Sequence, residues 1–161
     1  MKKIFMFVNV DWSFFSHRLS IAKAAQVNRV NMVVYTDFTQ AHEKNSTDGY
    51  NLYQSPIRRT SKSIFHVIVE FFKAYLIVKN GKPDLIHAVT VKPILVLGLV
   101  ARLTSTPFIG AVSGLGPAFQ PINSYGKLRL KLIVRVFRLI FINKNARIIC
   151  QSKNDRDVIL D

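Results

Sequence analysis

Four cations near the end of the chain have the spacing of a binding surface. Lys127, Lys131, Arg135 and Arg138 stand 4, 4 and 3 residues apart, which lines them along one side of a helix. Leu130, Ile133, Val134, Phe137, Ile140 and Phe141 occupy much of the remaining surface. A basic amphipathic helix of this kind suits anionic lipid head groups, so the four cations are candidate membrane contacts. Alternatively, the helix simply covers a sheet and its charged side is solvated. The charge balance favours the first reading. Lys plus Arg number 23 against 9 Asp plus Glu, a net charge of +14. No acid lies between Asp84 and Asp155, where ten Lys or Arg fall. Such a chain calls for an anionic partner. No DNA- or RNA-binding motif is recognisable, so nucleic acid is not the expected one.

Three shorter stretches carry polar chemistry. Residues 9–17 (NVDWSFFSH) contain Asn9, Asp11 and His17 and no glycine. They match neither G-x-G-x-x-G nor G-x-x-x-x-G-K-[ST], so a nucleotide diphosphate has no close backbone approach there. A small polar ligand fits better, although His17 and Arg18 could equally be a solvated surface pair. Ser113, Gly114, Leu115 and Gly116 precede Pro117. Two glycines two residues apart can turn backbone N–H groups toward an anion, or can merely supply a turn that needs positive φ. Lys92, just before Pro93, opens a helix, where the dipole disfavours a cation. A phosphate could recruit it there; otherwise it is solvated. His87 sits in an apolar strand and reads as a core residue before a catalyst. No His or carboxylate pair has metal-ligand spacing, and the lone Cys150 excludes a disulfide framework or a cysteine-based zinc site. Neither a metal nor a cofactor is expected.

These stretches must be held by elements that can be read along the chain. A length of 161 residues and 18.3 kDa predicts one domain. Apolar or β-branched runs predict strands at residues 3–9, 29–36, 50–57, 83–90, 107–112 and 147–151. Helices are expected at 14–27, 61–79, 93–103, 127–142 and from 154 onward, with Asn80-Gly81 as a stop signal. The class is therefore α/β: a Rossmann-like, doubly wound, mainly parallel sheet of about six strands with helices on both faces. An order such as 3-2-1-4-5 puts the winding reversal between strands one and four, where ligands bind beyond the carboxyl ends of the strands. Residues 9–17, 90–92 and 113–119 meet there. The apolar run 64–78 is broken by His66, Glu70 and Lys73, and no other run reaches the roughly 20 residues of a membrane span. With no secretory signal visible either, the expectation is a cytoplasmic chain, at most peripheral to the inner membrane.

Three segments together resemble a known family: FVNVDWSFFSHRLSIAKAA (7–25), PDLIHAVTVKPILVLGLVARLTSTPFIGAVSGLGPAF (83–119) and ARIICQSKNDRDVIL (146–160). The chain resembles the N-terminal domain of family 4, GT-B-fold glycosyltransferases that build O-antigen, capsule and related bacterial surface glycans. The resemblance implies a retaining transferase of two Rossmann-like domains. The N-terminal one takes the acceptor, often a glycan on a polyprenyl diphosphate. The C-terminal one takes the nucleotide-sugar donor and carries an E-x7-E element. Residues 1–161 correspond to the first domain only, so the expectation is an acceptor-binding, membrane-associating half that transfers nothing alone. Many members carry His at the end of strand five, where this chain has Ser113. The resemblance therefore supplies no catalytic residue. It assigns Asn9, Asp11, His17, Lys92 and residues 113–116 to the acceptor. The alternative is a free-standing basic module that binds a membrane or another anion without catalysis.

Overall fold

The chain is described by a computed structural model covering residues 1–39, 50–60, 63–114 and 124–160. Six strands form one sheet in which every pairing is parallel: β1 (Lys3–Val8), β2 (Asn31–Thr36), β3 (Asn51–Gln54), β4 (Leu85–Val89), β5 (Phe108–Val112) and β6 (Ala146–Cys150). Their order is β3-β2-β1-β4-β5-β6, the doubly wound arrangement expected. Among the described residues six helices accompany them: α1 (Asp11–His17), α2 (Leu19–Val27), α3 (Ile64–Gly81), α4 (Val91–Thr104), α5 (Ser124–Phe141) and α6 (Lys153–Leu160).

Alternation along each strand divides the core in two. Phe5, Phe7, Ile86, Ala88, Phe108 and Val112 pack with α3, α4 and α5. Met6, Val8, Met32, Val34, Val89 and Ala111 pack on the other face with Phe14 of α1 and Ala22 of α2. Because the sheet is covered on both sides, its central strands read as continuous apolar runs rather than alternating ones.

Several boundaries differ from the sequence expectation for identifiable reasons. The helix expected over 14–27 begins at Asp11 and bends at Arg18, whose φ of −123° separates α1 from α2. Strand β3 is four residues long. Ser55-Pro56 follows it, the Ser55 Oγ accepts the Ile57 N–H at 3.1 Å, and a proline brings no donor with which to extend the ladder. Gly81 is not the residue that turns the chain out of α3; Lys82 does so, in the left-handed region at φ 46°. Gly81 is needed for close packing instead, since a Cβ there would come within 2.4 Å of the Phe5 ring. Gly98 serves α4 the same way: a Cβ would lie 2.6 Å from the Ile140 side chain, so α4 and α5 meet at short range.

Candidate functional site

At the carboxyl ends of the strands lies a cleft of about 320 Å³. Asn9 and Val10 follow β1. Trp12, Ser13 and His17 come from α1, with Arg18 at its end. Arg59 comes after β3, while Thr90, Ser113 and Gln151 directly follow β4, β5 and β6. The site thus draws on five strand ends, which is what a parallel sheet with a winding reversal between β1 and β4 provides.

Of the residues assigned to ligand from sequence, Asn9, His17 and Ser113 line this cleft together. Asp11 does not reach it. Its side chain is fully buried, and Oδ1 accepts the Trp12 N–H at 2.9 Å and the Thr39 hydroxyl at 2.8 Å, which ties the start of α1 to the segment after β2. Lys92 is also drawn elsewhere. Its ammonium lies 2.8 Å from Glu70 Oε2 and donates to the Arg58 carbonyl at 2.7 Å. The carboxylate that offsets the unfavourable end of the α4 dipole is therefore Glu70, only 5% exposed, and the pair pins the segment carrying Arg58 and Arg59 against α4. Gly114 is exposed with φ 104° and open space where a Cβ would stand, so its conformation and not a close approach calls for glycine. Leu115 and Gly116 lie outside the described residues.

Trp12 and Thr90 belong to the stretches expected at this edge, whereas Arg59 and Gln151 do not. Arg59 is one of an ordinary basic doublet, and Gln151 follows a strand remote from the winding reversal. Only the fold brings them in. Thr90 has φ 75° and ψ 160°, a conformation that few residues other than glycine adopt. It is held by a 3.0 Å bond from its N–H to the Ala111 carbonyl and by the first helical bond of α4, from the Ile94 N–H to its own carbonyl.

The electrostatics of the cleft are one-sided. Arg18 and Arg59 line it and none of its described lining residues is acidic. Arg18 Nε is buried with no hydrogen-bond partner among the described residues, and burial draws the guanidinium below the usual arginine range. A buried guanidinium N–H without an acceptor is costly unless a ligand supplies one. His87, on the α1–α2 side of the sheet, is 8% exposed. Burial first, and the Arg18 charge second, lower its pKa to about 4. The imidazole is neutral at pH 7.

That depressed value makes a prediction about stability. In the unfolded chain His87 takes a proton near pH 6.5, while the folded chain resists it down to about pH 4. Stability is therefore complete above the first value and falls as pH drops toward the second, by about 3 kcal/mol across the window. Urea unfolding at pH 7 and pH 4.5 should show this loss, and His87→Met should remove most of it. An unchanged pH slope in that variant would show that His87 is not the group responsible.

Residues 3–152 match the family model described as glycosyl transferase 4-like. The chain belongs to that family. A comparison with curated protein sequences gives no match. Among solved structures, a UDP-N-acetylglucosamine 2-epimerase superposes over 99% of this chain and 44% of its own, with a TM-score of 0.65 at 10% identity. The sucrose-phosphate synthase of Thermosynechococcus elongatus covers 99% of this chain and 45% of its own, at 0.62 and 15%. Acinetobacter baumannii MurG covers 83% and 40%, at 0.55 and 18%. At such identities the glycosyl transferase 4-like chain shares their fold, that of one Rossmann-like half of a GT-B enzyme. It spans less than half the length of each of these proteins.

Proposed function

We propose that this domain is the acceptor-binding half of a retaining glycosyltransferase of bacterial surface-polysaccharide synthesis. It works with a donor-binding domain of the same architecture, and the sugar passes from a nucleotide-sugar to a glycan on a polyprenyl diphosphate. The observation that carries this reading is the cleft at the strand ends, whose described lining holds Arg59 and no acid, and also Arg18, whose buried Nε has no hydrogen-bond partner among the described residues. An acceptor diphosphate supplies what those groups lack, because guanidinium–phosphate bonds are charge-assisted and can be bidentate. Asn9, Ser113, Thr90 and Gln151 add neutral donors and acceptors for sugar hydroxyls, and Trp12 offers a ring face.

The four α5 cations, Lys127, Lys131, Arg135 and Arg138, are all exposed, which supports a reading in which they hold the domain on an anionic membrane where such an acceptor is anchored. No helix among the described residues is long and apolar enough to cross a membrane; the proposed association is peripheral, at the inner membrane's cytoplasmic face.

Trp12 is the chain's single tryptophan and lines the cleft, so its fluorescence reports occupancy directly. Titration with a short-chain prenyl diphosphate should change the emission saturably, and the prenyl alcohol should not. Arg59→Gln should weaken the diphosphate by roughly 10- to 100-fold, the value of one hydrogen bond to a charged group. A titration that does not saturate, or one that Arg59→Gln leaves unchanged, would remove the cleft from acceptor binding.

A further inference from the structure

Helix α3 is apolar on opposite sides. Toward the sheet it presents Ala74 and Val78, both buried, with Phe71 and Ile77 packed on the same core. Away from the sheet it presents Ile64, Phe65, Ile68, Phe72 and Leu76, which are 75, 69, 48, 59 and 54% exposed. The four-residue steps 64–68–72–76 make these side chains one ridge along the helix. A helix apolar all round belongs inside a protein or a membrane. This one lies on the outside of the domain, and so long an exposed ridge marks a contact surface.

The surroundings identify what covers it. Helices α3, α4 and α5 form one layer on the sheet, α4 touching both its neighbours. The three helices contain a single acid, Glu70, and it is buried against Lys92. Their outer surface thus bears no carboxylate, while Lys73, Lys79, Arg102 and the α5 cations border it. On α5 itself Leu128, Leu132 and Leu139 are exposed beside those cations. An apolar ridge rimmed by positive charge complements an anionic bilayer: acyl chains meet the ridge and head groups meet the rim. The direction of α3 fits as well. Its most exposed residues, Ile64 and Phe65, stand at the helix end that follows Arg59, on the cleft side of the domain.

We propose that α3 buries its outer ridge in the acyl boundary of an anionic bilayer. The α3–α4–α5 layer is then a lipid surface of two kinds: α5 attracts by charge and α3 holds by apolar burial. This rests on the membrane reading of α5 given above and assigns a second element that salt does not screen.

The whole chain is tested on vesicles of phosphatidylcholine with phosphatidylglycerol. At low salt the parent should bind strongly, and at high salt, where the Debye length shrinks to about 3 Å, a weaker binding should persist. The double variant Phe65→Ser, Phe72→Ser should lose roughly 30-fold in partitioning and all of the salt-resistant part. Both side chains are more than half exposed, so its thermal unfolding should match the parent's. Replacing the four α5 cations by Gln should do the converse, removing low-salt binding and keeping the salt-resistant remnant. The added indole of Phe72→Trp should be quenched by lipids brominated in the acyl chain. Binding that salt abolishes completely, with no such quenching, overturns the role of α3 and leaves that of α5 standing. No vesicle binding by the parent overturns both. A parent that is dimeric, with a double variant that is monomeric and binds vesicles equally well, assigns the ridge to a second copy and overturns the proposal.

Discussion

Residues 1–161, incubated with a nucleotide-sugar and a polyprenyl-diphosphate-linked acceptor, should release no nucleotide and extend no glycan. Retaining transfer requires a donor diphosphate held over the acceptor, and the donor element expected in this family is E-x7-E. The chain has two glutamates, Glu43 and Glu70, too far apart to form it, and Glu70 is already engaged by Lys92. None of the described residues lining the strand-end cleft has a carboxyl group. The whole catalytic acceleration, of order 10⁶-fold or more for enzymes in general, should therefore be missing. Adding a donor-binding domain, fused or in trans, should restore it. Turnover by residues 1–161 alone would refute this division of labour, as would a micromolar dissociation constant for a UDP- or GDP-sugar in titration calorimetry.

Replacing Lys127, Lys131, Arg135 and Arg138 together by Gln should cost close to a thousandfold in partitioning onto anionic vesicles at low salt. Each cation near a charged bilayer contributes about 1 kcal/mol, so four give roughly 4 kcal/mol before screening. At physiological ionic strength the Debye length is about 8 Å and the effect shrinks. The fold should survive, because all four side chains are exposed while Phe137 and Ile140, which hold α5 to the core, are 3% and 1% exposed. Co-sedimentation at low salt measures the loss, and circular dichroism checks the fold. Equal sedimentation of parent and variant would mean that the basic stripe serves another anion.

The layout of the fold was legible because hydrophobic period and strand–helix alternation are properties of the chain read in order. Once six strands alternate with helices, the right-handed crossover rule places Asn9, Thr90 and Ser113 at one sheet edge. Partnerships across the chain were not legible. Lys92 looked available for a phosphate, but Glu70, twenty-two residues earlier, already holds it. Asp11 looked like a ligand, yet it is consumed by Trp12 and Thr39. Arg59 and Gln151 reach the cleft only because β3 and β6 end at the same edge as β1 and β4. The ridge on α3 escaped notice for a different reason. Its apolar residues satisfy a core pattern, and only the finished packing shows that one side of the helix stays exposed among the described residues.

The central place of β1 governs how this domain comes into being. β1 pairs with β2 on one side and with β4 on the other. Lys3 is bound three times to that distant region: its N–H to Asp84 Oδ2 at 2.7 Å, its carbonyl to the Asp84 N–H at 2.8 Å and its ammonium to the Gly81 carbonyl at 2.9 Å. A chain made from its N-terminal side must therefore add some eighty residues after β1 before the second neighbour of that strand exists. Until then one edge of β1 stays open as a template for unwanted pairing. Substitutions at Lys3 act at the point where the sheet closes, so they should alter the yield of folded protein far more than equal changes on the exposed side of α6.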